Sequence, residues 1–204
     1  MARKKSIYTP HPSIAMTIKW VKDLPEKTGR SLEHWVRYIQ KKGPETVESR
    51  RDWLKTELKL GTNTASWLAD YSVGKGQEDL DPNAYLAKAE EWVATMIKNK
   101  PLLKPLYDEV LKRVFALGND VKVSPCQTMV PFYRNNVFSK ATFSTQSRLD
   151  VGFCLRGIPF TTRLTDTGGT AKKDRITHKV AITTLDDLDA EFDRWLLKAY
   201  EMDA

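Results

Sequence analysis

The sequence predicts an α+β protein: a small helical N-terminal domain, then helices packed on an antiparallel sheet and closed by a C-terminal helix. Up to about residue 117, apolar residues recur at the three- and four-residue spacing of amphipathic helices. After Gly118 the spacing changes to the alternation of half-buried strands, and helical spacing returns after residue 184. Because helices and strands occupy separate stretches, the α+β class is favoured over α/β.

The N-terminal part is predicted as a flexible arm over residues 1–12 and a helical domain over residues 13–72. Capping residues mark the helix starts, and Gly or Pro marks their ends. The expected helix starts are Ser13, Ser31, Thr46 and either Thr62 or Asn63. The expected breaks are Pro25 with Gly29, then Gly43 with Pro44, then Gly61.

Residues 73–81 contain two glycines and a change of charge sign, so they are predicted as a linker to an α+β domain over residues 82–204. Two helices are expected first, one starting at Pro82 behind an Asp81 cap and one ending at Gly118. Strong alternation then predicts strands over residues 149–155 and 176–182. Weaker strands are expected over residues 122–123, 129–133 and 141–144, and a Thr184–Asp187 capping box is expected to start the last helix.

Composition excludes several classes of protein. The longest apolar runs are only a few residues, whereas a bilayer span needs about 20, so no membrane association is expected. The basic N-terminus is not followed by an apolar stretch, which argues against a secretory signal. Cys126 and Cys154 are too few for a disulfide framework and are expected to be reduced thiols in a cytoplasmic protein.

The charge distribution is uneven. The formal net charge is +7. Residues 121–182 contain ten Lys or Arg and three Asp or Glu, whereas residues 183–204 contain two and seven. We expect the basic side chains of the first segment to gather on a shared face, which would attract an anionic partner.

Three stretches, supported by residues 125–134, resemble a family of small bacterial proteins built from two domains of unknown function. The first stretch joins residues 13–17 with residues 24–35, the second covers residues 53–65, and the third runs from Asp166 to His178. The resemblance covers nearly the whole chain. It implies the two-domain layout and assigns no catalytic or binding residue.

The richest candidate site surrounds the segment from Arg163 to His178. Gly168 and Gly169 would free the backbone to present N–H groups to an anion, with basic side chains close behind them. Arg148 and Arg156 share one strand parity and would line the same side. The predicted anion-binding residues are Arg148, Arg156, Asp166, Gly168, Gly169, Lys172, Lys173, Arg175 and His178. The alternative is a solvated hairpin loop whose charges serve solubility.

Enzymatic chemistry is a second hypothesis. His178 and Asp166 are acid–base candidates, with Arg148 as a substrate clamp, although His178 lies in phase with apolar residues and equally suits a satisfied core position. The Asp166-Thr167-Gly168 triplet matches aspartic proteases, which need two such carboxylates; only one occurs here, so this interpretation is discounted. Cys126 is a weaker candidate nucleophile, since buried inert cysteine is commoner.

No metal or cofactor is expected, because the three histidines and two cysteines lack ligand spacing. The helices on either side of Gly61 suggest a DNA-reading helix-turn-helix, but the second helix lacks Lys and Arg, which favours a simple αα-hairpin. The favoured hypothesis is a non-enzymatic binding protein for nucleic acid or for a phosphorylated or carboxylated small molecule. An interaction module acting through the helical domain is a third hypothesis, and the oligomeric state is left open.

Overall fold

A computed structural model describes residues 6–204 and confirms the predicted α+β class. Its described part holds seven α-helices and one six-stranded antiparallel sheet. The helices are α1 (Ser13–Thr28), α2 (Leu32–Lys42), α3 (Val47–Thr56), α4 (Thr62–Tyr71), α5 (Pro82–Asn99), α6 (Lys104–Ala116) and α7 (Ala190–Glu201). The strands are β1 (Lys122–Val123), β2 (Val130–Tyr133), β3 (Val137–Phe143), β4 (Leu149–Phe153), β5 (Thr165–Asp166) and β6 (His178–Ile182). Within residues 6–204, no helix is both long and apolar enough to cross a membrane.

The chain divides into two compact units inside α5, between Leu86 and Ala87. The helical unit spans residues 10–86, and the sheet unit joins residues 6–9 to residues 87–204. The stretch predicted as a linker therefore belongs to the helical unit, and Leu80 packs against that unit's core. Part of the predicted flexible arm, residues 1–5, lies outside the described residues. Further along the arm, the Thr9 N–H donates to the Val123 carbonyl at 2.8 Å.

The first helix differs from the prediction at both ends. The Ser13 side chain does not cap it; instead its hydroxyl bonds His11 Nδ1 at 2.6 Å. Pro25 does not break it either. The helix continues through the proline to Thr28, although residue 25 has no N–H to donate to the carbonyl four residues before it. Gly29 ends the helix in the left-handed region, at φ +74°, and donates its N–H to the Pro25 carbonyl.

The other helix starts follow the sequence more closely. The Ser31 and Thr46 side chains cap α2 and α3 as predicted, each accepting from a backbone N–H in the first turn. The third helix ends at Thr56 rather than near Leu60. Lys59 adopts a left-handed φ of +55°, and the Leu60 N–H returns to the Leu54 carbonyl at 3.0 Å, which closes the turn.

One buried tryptophan organises the core of the helical unit. Trp35 is 1% exposed and packs with Leu24, Ile39 and Leu54, which are fully buried. Its indole N–H donates to Thr28 Oγ1 at 2.8 Å, and the same hydroxyl donates to the Leu24 carbonyl at 2.7 Å. This pair of bonds satisfies a polar group that would otherwise be costly to bury.

The sheet has the order β1-β2-β3-β4-β6-β5, so β4 lies inside it. Leu149, Val151 and Phe153 of β4 join a core that includes residues of α6 and α7. Every residue of β4 is buried, including those that point to the opposite face. On that face a Cβ at Gly152 would come within 2.7 Å of Ile176 Cγ2, so the chain that precedes β6 lies directly over the glycine.

Two parts of the sheet unit depart from the prediction. The strand β3 begins at Val137, four residues earlier than expected, and β5 was not predicted. The Thr184–Asp187 capping box does form, but it caps the short 3₁₀ turn Leu185–Asp187. The last helix starts later, at Ala190, where the Asp189 carboxylate accepts from the N–H groups of Glu191 and Phe192.

The Trp35–Thr28 hydrogen bond predicts a specific stability effect. Thr28→Val keeps the shape of the side chain and removes the acceptor of a buried N–H, which is expected to cost about 1–3 kcal/mol. Thr56→Val is the matched control. The Thr56 hydroxyl also donates to a carbonyl four residues back, at 2.8 Å, but this side chain is exposed and accepts no hydrogen bond from a tryptophan. The control should cost less than about 0.5 kcal/mol. Urea unfolding followed by tryptophan fluorescence measures both, and equal losses would contradict the assignment.

Candidate anion-binding site

The nine predicted anion-binding residues do not form a single site. Arg148 and Arg156 lie beyond opposite ends of β4, because the strand covers only Leu149–Phe153. Arg175 forms an ion pair with Asp203, close to the C-terminus of the chain. Only Arg156, Lys173 and His178 line a common cavity. The structure therefore does not bring the nine residues around one cavity, and a shared basic face stays a prediction.

Arg148 is neutralised at the start of β4. Its Nε lies 3.0 Å from Asp150 Oδ1, and Lys179 Nζ lies 3.3 Å from the other carboxylate oxygen. The Asp150 side chain is only 11% exposed, so a largely buried carboxylate holds both cations. The cluster carries two cations against one carboxylate, and both cations are held by that largely buried acid.

Arg175 is also committed to the fold. Its Nε–H donates to the Val137 carbonyl at 2.8 Å, and its guanidinium bonds the buried carboxylate of Asp203. Asp203 also accepts from the Asn136 N–H at 2.7 Å. Three distant parts of the chain therefore meet at one buried acid: the β2–β3 turn, the segment before β6 and the C-terminus.

The acidic C-terminal segment, residues 183–204, neutralises another part of the basic segment. Arg163 lies 2.7 Å from Asp189 and 2.9 Å from Glu191, and its hydrogen bond lowers the pKa of Asp189 to about 2. Among the described residues, five cations of the basic segment have no carboxylate partner. They are Lys122, Lys140, Arg156, Lys172 and Lys173.

The glycine pair shapes the loop between β5 and β6. The Gly168 N–H donates to Asp166 Oδ1 at 2.7 Å, and the Gly169 N–H donates to Thr167 Oγ1 at 3.0 Å. Gly168 has a φ of +74°, and a Cβ at Gly169 would lie 2.3 Å from the Ile176 carbonyl oxygen. The two amides assigned to an anion from the sequence are thus occupied inside the loop, and the glycines are required by its geometry.

A cavity of about 500 Å³ opens beside the start of β6. One wall is the turn that follows β4, another is the loop before β6, and β6 itself contributes the third. The residues that line it are Arg156, Gly157, Ile158, Phe160, Thr170, Lys173, Asp174, Thr177 and His178. Its volume lies within the range typical of small-molecule sites, about 300–1,000 Å³.

His178 forms a fixed wall of this cavity. It is 2% exposed; its Nε2 lies 2.9 Å from the Ile158 carbonyl and its Nδ1 lies 2.8 Å from Thr177 Oγ1. A carbonyl can only accept, so Nε2 donates to Ile158, and the Thr177 hydroxyl engages Nδ1. Asp166 lies opposite His178 in the β5–β6 register, but its Oδ1 bonds Gly168 instead. With both ring nitrogens engaged, His178 is placed as an aromatic surface rather than as a proton carrier.

The two cations reach the cavity from different walls. Arg156 follows β4 and makes a long bond, 3.4 Å, to the Asp174 carbonyl, while Lys173 sits in the loop with a left-handed φ of +58°. Both side chains are exposed. With the Asp174 carboxylate, the lining carries one more positive than negative charge, which suits an anion on a small molecule.

Sequence reasoning missed the apolar half of this cavity. Phe160 is 47% exposed, and its ring centroid lies 4.4 Å from that of His178. Ile158 contributes the carbonyl that holds the imidazole. The available signal was an aromatic residue just after Gly157 and Pro159, in a turn where apolar side chains are uncommon.

The other chemical candidates are not assembled into sites. Cys126 is half-buried, and burial raises the pKa of its thiol, which disfavours the reactive thiolate. Among residues 6–204, no three His, Cys, Asp or Glu side chains are grouped to hold a metal ion.

Comparison with protein families agrees with the division into two parts. A family model described as a domain of unknown function, DUF5655, matches residues 93–203, and a second, DUF4287, matches residues 19–72. The first match covers more than half of the chain, which therefore belongs to the DUF5655 family. The resemblance to a two-domain family without an assigned activity is confirmed. No curated protein and no solved structure matches the chain.

The Asp203 cluster predicts that Arg175 acts on stability. Arg175→Gln leaves a buried carboxylate without its charged partner, which should cost about 1–3 kcal/mol of unfolding free energy. Lys172→Gln removes an equal charge from the same loop and should change stability by less than about 0.5 kcal/mol. Urea unfolding of both variants measures the difference. Equal stability of the two would show that the Arg175–Asp203 pair contributes nothing to the fold.

The raised pKa of Cys126 predicts slow alkylation. Near neutral pH, iodoacetamide should modify this thiol more slowly than it modifies free cysteine, because the neutral thiol predominates and is half-buried. Mass spectrometry of the intact protein follows the reaction, and the urea-unfolded chain, with both cysteines exposed, is the control. Modification as fast as free cysteine would reinstate Cys126 as a candidate nucleophile.

Proposed function

We propose that the sheet unit binds a small anionic molecule in the cavity beside β6, with Arg156 and Lys173 contacting the anion. One observation supports this above all. Of the cations predicted to bind an anion, three have no carboxylate partner within residues 6–204, and two of these, Arg156 and Lys173, line the same cavity.

The chemistry of the two cations suits a phosphate or a carboxylate. A guanidinium offers a planar fork of donors that matches either group, and an ammonium adds a mobile point charge. Both side chains are exposed, so binding requires little displacement of protein groups. The single long bond from Arg156 to a carbonyl is readily exchanged for a charged ligand.

A small molecule is favoured over nucleic acid as the partner. Binding a nucleic acid backbone needs several unpaired cations along a continuous track. Here Arg148, Arg163 and Arg175 are each paired with carboxylates. Of the five unpaired cations of the basic segment among the described residues, two lie together in one concave site, which fits one or two anionic groups.

The contacts of His178 favour a binding protein over an enzyme. A general base needs a free ring nitrogen within reach of the substrate, and both nitrogens are engaged by Thr177 and Ile158. Two free cysteines, at positions 126 and 154, are compatible with a reducing compartment, and we propose a cytoplasmic location on that basis; a bacterial source is proposed from the family resemblance alone.

Matched charge reversals in one loop test the proposal. Calorimetric titration with inorganic phosphate, ribose 5-phosphate, AMP and benzoate should reveal binding that weakens as salt is raised. Lys173→Glu should weaken the binding by at least about tenfold, since it replaces an attractive charge in the cavity by a repulsive one. Lys172→Glu makes the same change one residue outside the lining and should weaken it less than about threefold.

Two outcomes would contradict the proposed function. The first is the absence of binding for every one of these anions at low salt. The second is equal weakening by the two charge reversals, which would indicate a diffuse attraction to the whole loop rather than contact inside the cavity.

A further inference from the structure

Phe160 presents an exposed aromatic face inside the cavity that holds the two cations. It is 47% exposed, and its ring lies against His178 at a centroid distance of 4.4 Å and an interplanar angle of 36°. The imidazole covers one part of the ring, so the exposed part faces the open space that Phe160 lines. Stacking of a flat ring is a favourable way to cover such a surface.

The aromatic surface is held in place from behind. The Nε2–H of His178 donates to the Ile158 carbonyl, two residues before Phe160, and Thr177 fixes the other ring nitrogen. His178 itself belongs to β6 and is buried. The turn that carries Phe160 is therefore tied to the sheet, and a ligand ring would meet a surface that is already ordered.

The charged groups complete a pattern with three parts. Arg156 and Lys173 supply donors for a phosphate, Phe160 supplies a stacking surface, and Asp174 adds a carboxylate acceptor for an amino or hydroxyl group. We propose, on the basis of the function proposed above, that the anion bound here is a mononucleotide. Its base would lie on Phe160 and its phosphate at Arg156 and Lys173.

Other anions use less of this surface. Inorganic phosphate or a sugar phosphate would occupy the cations and leave Phe160 and Ile158 uncovered. A nucleic acid strand would need a path of free cations leaving the cavity, and the arginines of the basic segment outside it are paired with carboxylates. A single nucleotide matches both the size of the cavity and its mixed lining.

Substitution of Phe160 tests the base contact separately from the phosphate contact. The full chain is titrated with AMP and with ribose 5-phosphate, which share the phosphate and differ in the base. AMP should bind at least about tenfold more tightly, the gain expected of one stacked base. Phe160→Leu should remove most of that gain and leave the affinity for ribose 5-phosphate within about twofold, because the cations are untouched.

Phe115→Leu is the matched control, since this phenylalanine is 39% exposed on α6 and does not line the cavity. It should alter neither the affinity for AMP nor that for ribose 5-phosphate.

Equal binding of AMP and ribose 5-phosphate, unchanged by Phe160→Leu, would overturn the nucleotide inference and leave the proposed anion site unaffected. Binding of neither of these two phosphates would overturn the mononucleotide, and the proposed function itself would fall if inorganic phosphate and benzoate also failed to bind. Binding of a short oligodeoxyadenylate without binding of AMP would overturn the mononucleotide and indicate a strand.

Discussion

Charge compensation between the basic segment and the acidic C-terminal segment decides what this surface can bind. Asp203 holds Arg175, and Asp189 with Glu191 holds Arg163, so the start of the closing helix and the residues just after its end each engage an arginine from the preceding part of the chain. These pairs tie loops to the helix that covers the sheet. They also reduce the number of free cations, and of the five left unpaired in the described part of the basic segment, Arg156 and Lys173 line one cavity. Pairing leaves the net charge of +7 unchanged, because that figure already subtracts the carboxylates, but it reduces the number of cations free to contact a partner.

The same residues that order the loop before β6 also shape the cavity. The amides of Gly168 and Gly169 close the loop on its own side chains, and the imidazole of His178 ties the opposite turn to β6 through the Ile158 carbonyl. Most of the polar groups that look reactive in the sequence are thus engaged in hydrogen bonds that order these two loops. The cavity lining adds two cations without a carboxylate partner, Arg156 and Lys173, and the exposed ring of Phe160.

Local patterns predicted most of the fold. The Ser31 cap, the Gly43 end of α2 and the alternation that marks β4 and β6 depend on neighbours within a few residues, so they can be read directly from the chain. The fifth strand has only two residues, both exposed, and leaves no periodic signal. The site was predicted only in part, because pairing such as that of Arg175 with Asp203 joins residues distant in sequence. Phe160 was not predicted as a site residue for the same reason, because the imidazole beside it belongs to β6, which is distant in sequence.

Gly152 links the interior of the sheet to the loop on its outer face. No side chain fits between β4 and Ile176, since even a methyl group would approach Ile176 to 2.7 Å. Alanine there would push the loop outward, and Asp174 and Lys173 stand only two and three residues before the displaced isoleucine. A smaller residue at position 176 would have to accompany any such change. The position of the loop that carries Lys173 and Asp174 therefore depends on Gly152, a strand residue that does not line the cavity. Positions 152 and 176 should vary together among chains of this family.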